Sequence, residues 1–279
     1  MKLLATTTFL LALAAPAVHA QSVEISGEGR MGLMGLDAGG WVWMQENQLF
    51  FDFGVSVEGD HGLSFGALSS VEIANGTTGI FSGSNVWVEA RGLRLTFGNT
   101  DGALTNAGYL GGGGVGYEGG ILNGDGAGLD AIAQEMDTAG GGPVLARVDY
   151  TMGDTVVSLS HERGAATEVG LTTTFDAFTV AFGYSNAVTN NWALSGQYDG
   201  GSWGAGLLYA SVLGANNWSL SGTVGLGGGD LYGYVGEVFG DRAYGLSYSY
   251  GLGGGANLTT GVERVGLVTG ASVGVAFEF

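Results

Sequence analysis

Apolar and polar residues alternate along most of the chain in short segments. From 49 to 58 one face would carry Leu49, Phe51, Phe53, Val55 and Val57, and the other Asp52, Gly54, Ser56 and Glu58. The same alternation is found at 23–33 and at 93–98. A period of two is typical of a β-strand with one apolar and one polar face. The pattern therefore predicts an all-β fold.

Segments of this kind recur along the chain and are separated by breaks rich in Gly, Asp and Asn. About sixteen strands are predicted, at 23–36, 47–58, 62–74, 84–90, 93–99, 143–152, 155–163, 167–175, 178–185, 191–199, 202–210, 215–225, 229–238, 242–250, 256–264 and 271–279. No stretch after residue 20 has the roughly 20 apolar residues that a spanning helix needs. An even number of short alternating strands is instead typical of an antiparallel β-barrel that crosses a bacterial outer membrane.

The breaks differ in length between the two ends of this predicted barrel. If the first strand runs outward, the inner breaks are short, such as 91–92 and 153–154, and the outer breaks are mostly longer. Short periplasmic turns and longer external loops are the asymmetry of outer-membrane barrels. The longest break, 99–142, is the third on the outer side, and its portion 129–136 has the composition for a helical turn or two.

The first 20 residues have the features of an export signal. They contain Lys2, an apolar run from Phe9 to Ala15, and small residues around Val18 and Ala20. Residues 1–20 are therefore predicted to be a cleaved signal peptide, and residues 21–279 to be a single transmembrane barrel domain.

Composition narrows the possible functions. The chain has 26 acidic residues against 8 basic ones, and removal of Lys2 with the leader would leave a net charge of −19. Such an acid excess disfavours nucleic acid as a partner. The 45% hydrophobic content argues against disorder, and the absence of cysteine argues against a small disulfide-stapled domain.

Aromatic residues are expected near the strand ends, where they would form girdles at the two membrane interfaces. The candidates are Trp41, Trp43, Trp87, Trp192, Trp203, Trp218, Tyr248 and Tyr250. An alternative is that Trp and Tyr are simply good strand residues. In the last strand, Val273, Val275, Phe277 and Phe279 alternate on one face. A strand ending in Phe resembles the segment of outer-membrane barrels that the assembly machinery reads, so Phe277 and Phe279 are candidate assembly residues.

Three segments resemble the general diffusion porins of photosynthetic and related alphaproteobacteria, the Rhodobacter type. They are Val23–Gly32, Tyr250–Ala256 with the strand that follows, and Phe277–Phe279. The resemblance implies a sixteen-stranded homotrimer in the Gram-negative outer membrane, in contact with lipopolysaccharide, through which small hydrophilic solutes and ions diffuse passively. It also implies that 99–142 folds into the lumen and narrows it. The run Gly111–Gly114 and the glycines of 124–128 depart from the family pattern by making this loop small in side-chain volume.

Charge placement is the mechanism expected of such a channel, because charges at a constriction sort the solutes. Alternation places Arg30, Arg94 and Arg147 on the polar side of their strands, and Arg91 at an inner turn. An arginine facing lipid at mid-membrane would cost roughly 2–4 kcal/mol. These four form the predicted basic wall of the constriction. The loop acids expected to face them, and so to create a transverse field, are Glu118, Asp125, Asp130, Glu135 and Asp137.

Several alternatives remain open at this stage. The loop charges could be solvated without a concerted role. They could also hold Ca²⁺, which binds six to eight oxygens, although no EF-hand spacing is present and no cofactor is required. The acid excess favours cation preference. We expect no enzymatic activity. The rival functions are a substrate-specific channel and a barrel enzyme built around His161, and the match of 114–119 to G-x-G-x-x-G is attributed to chance.

Overall fold

The computed structural model describes residues 21–75, 79–117, 119–134, 136 and 144–279. Seventeen strand segments form one antiparallel sheet. They are β1 Gln21–Asp37, β2 Trp41–Glu58, β3 Ser64–Ala74, β4 Ile80–Phe81, β5 Asn85–Ala90, β6 Leu93–Gly98, β7 Leu145–Met152, β8 Thr155–His161, β9 Thr167–Phe175, β10 Phe178–Ser185, β11 Asn191–Asp199, β12 Trp203–Val212, β13 Ala215–Leu226, β14 Gly229–Val238, β15 Asp241–Gly253, β16 Ala256–Val265 and β17 Val268–Glu278. The predicted signal peptide, 1–20, lies outside the described residues.

The sheet closes on itself because β1 pairs with both β2 and β17. Segments β4 and β5 both pair with β3, in registers that differ by one residue, so they are two parts of one crossing strand. The structure is therefore a closed antiparallel barrel of sixteen strands, and the all-β prediction is confirmed. Two backbone hydrogen bonds between Gly27 and Phe279 extend the closing pair to the end of the chain.

Alternation decides which side chains face out and which face in. On β8, Val157 and Leu159 are 38% and 49% exposed, whereas Ser158 and Ser160 are 0% and 1% exposed. The apolar positions of the other strands are likewise exposed on the outer face. Burial of apolar side chains in lipid and of polar ones inside the ring is what a membrane barrel requires. Among the described residues, none of the helices has the length and apolar content needed to cross a bilayer.

Connections at the two ends of the barrel differ less than the sequence suggested. At the near end, where β1 begins and β17 ends, most turns have two residues, such as 91–92 and 153–154. At the far end, 213–214, 239–240 and 266–267 are equally short. The difference between the ends therefore lies mainly in one segment, 99–144, which we call the 99–144 loop.

Glycine makes room for the aromatic end of the chain. A Cβ atom on Gly27 would lie 2.6 Å from the Phe279 ring, and one on Gly29 would lie 2.3 Å from the Phe277 ring. Both rings therefore lie over the β1 backbone, and a side chain at either glycine would displace the ring that covers it.

Trp87 is the exception among the predicted girdle residues, and for this residue the prediction was wrong. Its strand register places it on the inner face, where its ring lies 4.2 Å from the guanidinium carbon of Arg94. A cation–π contact with an inward arginine explains why a Trp is placed there.

Candidate functional site: the inner face of the barrel

The described part of the 99–144 loop runs along the inner face of the strands. Its amides donate to inward side chains: Leu104 N lies 3.0 Å from Glu168 Oε2, and Leu110 N lies 2.8 Å from Ser195 Oγ. Further along, Tyr117 donates its hydroxyl to Glu46 Oε2 at 2.8 Å. These partners lie on β9, β11 and β2, so the loop reaches around much of the ring from within.

Glycines on the wall allow the loop backbone to approach closely. A Cβ on Gly170 would lie 2.2 Å from the carbonyl oxygen of Ala103, and one on Gly261 would lie 2.6 Å from Gly116 N. Gly183 lies equally close to the backbone of Gly108, and loop side chains cover the inward glycines Gly32, Gly245, Gly270 and Gly274. The path of the loop is thus marked on the wall by positions that lack a side chain.

One buried carboxylate, Glu263 on β16, holds the second half of the loop. It accepts hydrogen bonds from Leu122 N at 2.6 Å and Gly124 N at 2.9 Å. The hydroxyl of Tyr234 donates to its Oε1 atom as well. The side chain is 1% exposed. Buried carboxylates need such donors, because an unpaired buried charge is costly.

A second buried carboxylate, Glu168 on β9, holds the first half of the loop. It is fully buried and accepts from Leu104 N, where the loop forms a π-helical turn over Leu104–Gly108. Ala103 N, one residue earlier, donates to Ser160 Oγ at 2.8 Å. The two carboxylates therefore fix the loop at separate points on the wall.

Apolar packing supports the loop between these points. Leu104, Leu129 and Ile132 of the loop are buried against inward residues of β11 and β12, namely Ala193, Leu208, Ala210 and Val212. The predicted helical portion contains a short 3-10 turn, Leu129–Ala131. Burial of an apolar side chain contributes about 1.5–3 kcal/mol, so this cluster adds to the polar contacts in holding the loop on the wall.

All three inward arginines of the predicted basic wall lie on the inner face, as their strand registers show. Arg30 Nη2 lies 3.2 Å from Glu46 Oε1. Arg147 Nε lies 2.9 Å from Asp149 Oδ2, and its Nη1 atom donates to the carbonyl oxygen of Asp101 at 2.7 Å. Arg147 thereby also holds the start of the loop.

Arg94 and Arg91 differ in their surroundings. Arg94 pairs across the sheet with Glu89 on one side and Asp149 on the other, and its guanidinium lies over the Trp87 ring. Arg91 lies in the two-residue turn after β5, is exposed, and has a positive φ of 52°. It lies at the near mouth of the barrel rather than on the wall.

The structure places the predicted loop acids in different environments. Asp125 is 5% exposed and accepts from Gly114 N at 3.0 Å and from the hydroxyl of Tyr232 at 2.7 Å. Asp130 is exposed. Glu118, Glu135 and Asp137 lie outside the described residues. Asp125 thus acts inside the loop and against β14, on the opposite side of the ring from Arg94.

Neither remaining candidate site gains support from the geometry. Within the described part of the chain, no group of three or more His, Cys, Asp or Glu residues is arranged to hold a metal ion. His161 is exposed, and its Nδ1 atom lies 2.8 Å from Thr167 Oγ1.

Sequence reasoning missed the wall residues that hold the loop, which are Glu46, Glu168, Tyr232, Tyr234 and Glu263. Each lies at an inward position of its strand. Strand alternation could have found the inward set, but it could not tell a lumen charge exposed to water from one covered by the loop.

A family model described as Gram-negative porin matches residues 5–267. A search of curated protein sequences found no match.

Among solved structures, a variant of the Rhodopseudomonas blastica porin with five substitutions superposes with a TM-score of 0.79 at 19% identity. A second variant of that porin, with two substitutions, gives a TM-score of 0.78 at 20% identity. Each alignment covers 92% of this chain and 100% of the other. At these identities the similarity shows the shared barrel fold.

Proposed function

This chain belongs to the Gram-negative porin family and forms an outer-membrane porin channel, and from that premise we propose that it passes small hydrophilic solutes and ions by passive diffusion, with a preference for cations. The observation that carries the proposal is the inner face itself. Serine, threonine, asparagine and charged side chains occupy many inward positions, while most large apolar side chains face outward, and inward ones such as Leu208 and Val212 are covered by the loop. A lumen lined by polar groups can stay filled with water.

Cation preference follows from the charges on the wall. Within the described strands, the inward basic residues are Arg30, Arg94 and Arg147. The inward acidic residues are Glu24, Glu28, Glu46, Asp52, Glu58, Glu72, Glu89, Asp149, Glu168, Asp199, Asp230, Asp241, Glu263 and Glu278. Rings of Asp and Glu favour cations in a pore, so the acid excess inside the barrel lowers the energy of a permeating cation.

The constriction is formed by the 99–144 loop and the wall opposite it. The loop covers inward positions from β8 round to β2, while the arginines lie on β1, β6 and β7. Solutes therefore pass between the loop and strands β3 to β7, where Arg94 and Arg147 lie, and Arg30 lies at the edge of this gap beside Glu46. The arginines are local positive charges on a wall that carries more acidic than basic residues, so cations and anions meet different fields along this gap.

Reversal potential in planar bilayers tests the selectivity. Under a KCl gradient we expect a reversal potential on the cation-selective side, and Arg30→Ala should move it further in that direction because one positive charge is removed from the wall. Arg163→Ala is the matched control, since Arg163 lies in the far-end connection after β8 and is outside the lumen. Anion preference of the unmodified channel would overturn the proposed selectivity.

We also propose that residues 1–20 are removed on export and that three barrels associate. The export features of the leader and the family support these statements. N-terminal sequencing of the mature protein should begin at Gln21, and native mass spectrometry in detergent should give a mass three times that of the mature chain. A retained leader, or a monomer under mild detergent conditions, would contradict them.

A further inference from the structure

Charges are unevenly distributed around the inner face. The charged wall, comprising the inward positions of β1 to β7, carries Arg30, Arg94, Arg147 and most of the acidic residues of the lumen. The neutral wall, comprising the inward positions of β10 to β13, is described throughout and has Asp199 as its single charged residue. A solute inside the barrel therefore meets two chemically different surfaces.

A recess lies in the neutral wall, toward the near end of the barrel. Its volume is about 460 Å³, and its floor includes Gly204 and Gly206, where the wall has no side chains. The loop residues 111–113, which are glycines as well, form another side of it. Small-molecule sites in proteins have volumes of about 300–1,000 Å³, so the recess is large enough to hold a small solute.

Side chains around the recess are neutral hydrogen-bonding groups. Thr179, Ser221 and Thr223 supply hydroxyls, and Gln197 supplies an amide whose Nε2 donates to Gly111 O at 2.7 Å. Hydroxyl and amide groups can both donate and accept. The lining contains no basic side chain, and Asp199 is its one acid. Such a lining offers an anion no positive charge, and it matches solutes that carry many hydroxyls and no charge.

We propose that this recess is a binding subsite for neutral carbohydrates of mono- to disaccharide size, which bind on the near side of the loop, beside the path that ions take along the charged wall. The proposal rests on the proposed function, because it needs a lumen open to water. A sugar in the recess narrows the path left for ions, so its occupancy is visible as a fall in ion current that saturates with sugar concentration.

The test is a sucrose titration of KCl current through the full mature protein in planar bilayers. We expect the unmodified channel to show a saturating fall in current beyond the linear loss of bulk conductivity. The double variant Thr179→Val, Thr223→Val removes two hydroxyls at nearly constant shape and should raise the half-saturating concentration about tenfold, as loss of two neutral hydrogen bonds implies. Gly204→Gln should abolish saturation by filling the floor, where a new Cβ would meet nothing closer than a backbone oxygen at 3.2 Å.

Thr155→Val is the matched control, because the Thr155 hydroxyl bonds to that of Thr173 on the outer face; its titration should match that of the unmodified channel. A fall in current that remains linear in sucrose, or one that saturates equally in all variants, would overturn the recess while leaving the channel intact. Absence of ion current from folded protein would instead overturn the proposed function.

Discussion

Replacement of Glu263 by Gln should release the second half of the 99–144 loop from the wall. The carboxylate accepts from Leu122 N, Gly124 N and the Tyr234 hydroxyl while 1% exposed. Gln has nearly the same shape, but it has one acceptor oxygen where the carboxylate has two. Its NH₂ group would therefore face one of these donors instead of accepting from it. The variant thus loses a hydrogen bond to a charged group, worth about 1.5–3 kcal/mol, and leaves a buried donor unpaired, at about 1–3 kcal/mol.

Because part of that cost is relieved when the loop moves, we take about 2–4 kcal/mol as the change in the free energy of loop docking. Each 1.4 kcal/mol changes an equilibrium tenfold, so the undocked population should rise about 30- to 700-fold. Local opening of this kind exposes side chains that the docked loop covers.

Thiol labelling measures this population, since the chain contains no cysteine. Val115→Cys is the reporter, because Val115 is fully buried against the wall between Gly245 and Gly261. Ala103→Cys is the control reporter at the other fixed point, where Ala103 is fully buried near Glu168. Glu263→Gln should raise the labelling rate at position 115 by about 30- to 700-fold and leave the labelling rate at position 103 unchanged.

Two results would refute this reasoning. Equal acceleration at both positions would mean that the substitution destabilises the whole barrel. No acceleration at either position would mean that the desolvation cost of burying the Glu263 charge equals the stabilisation from its hydrogen bonds. Such a balance is known for buried charges.

Two further predictions concern close contacts made through glycine. Gly170→Val should displace the first half of the loop from the wall, since even a Cβ at this position would lie 2.2 Å from the Ala103 carbonyl oxygen. Single-channel recordings should then show a changed conductance and larger current fluctuations. An unchanged trace would contradict the path of the loop. Gly27→Leu should hinder folding of the barrel, because its Cβ would lie 2.3 Å from the backbone carbonyl oxygen of Phe50 on β2. The folded band in unheated gel samples should therefore weaken, whereas Gly54→Ala, whose Cβ has no neighbour closer than 3.8 Å, should fold normally.

Most of the barrel could be predicted from sequence because alternation is a local signal. The sixteen predicted segments correspond to the sixteen crossing strands, although β2 begins at Trp41 rather than at 47. Segment β4 escaped prediction, because 80–81 lies in the break between the predicted strands 62–74 and 84–90 and pairs with β3 over two residues only. Trp87, predicted to lie in the girdle, is at an inward position of β5, between the outward Val86 and Val88.

The contacts of the loop could not be predicted in the same way. Leu122 and Glu263 are 141 positions apart, and their meeting depends on the path of a glycine-rich segment with little periodicity. The loop acids illustrate the difficulty. Asp125 lies in a glycine-rich segment whose composition is typical of a solvent-exposed turn. In the structure its carboxylate is nevertheless buried, and it accepts hydrogen bonds from Gly114 N and the Tyr232 hydroxyl. Wall glycines such as Gly170 were the available signal, because an inward glycine in a strand marks a close backbone approach.

Single-channel conductance of the refolded mature protein in planar bilayers tests the central claim, that the barrel is a water-filled channel, most directly. We predict stepwise insertion with large ohmic steps whose conductance rises linearly with KCl concentration, because ions move through water rather than through a saturable site. Folded, heat-modifiable protein that inserts without producing conductance steps would contradict the account, since it would mean that the 99–144 loop closes the lumen.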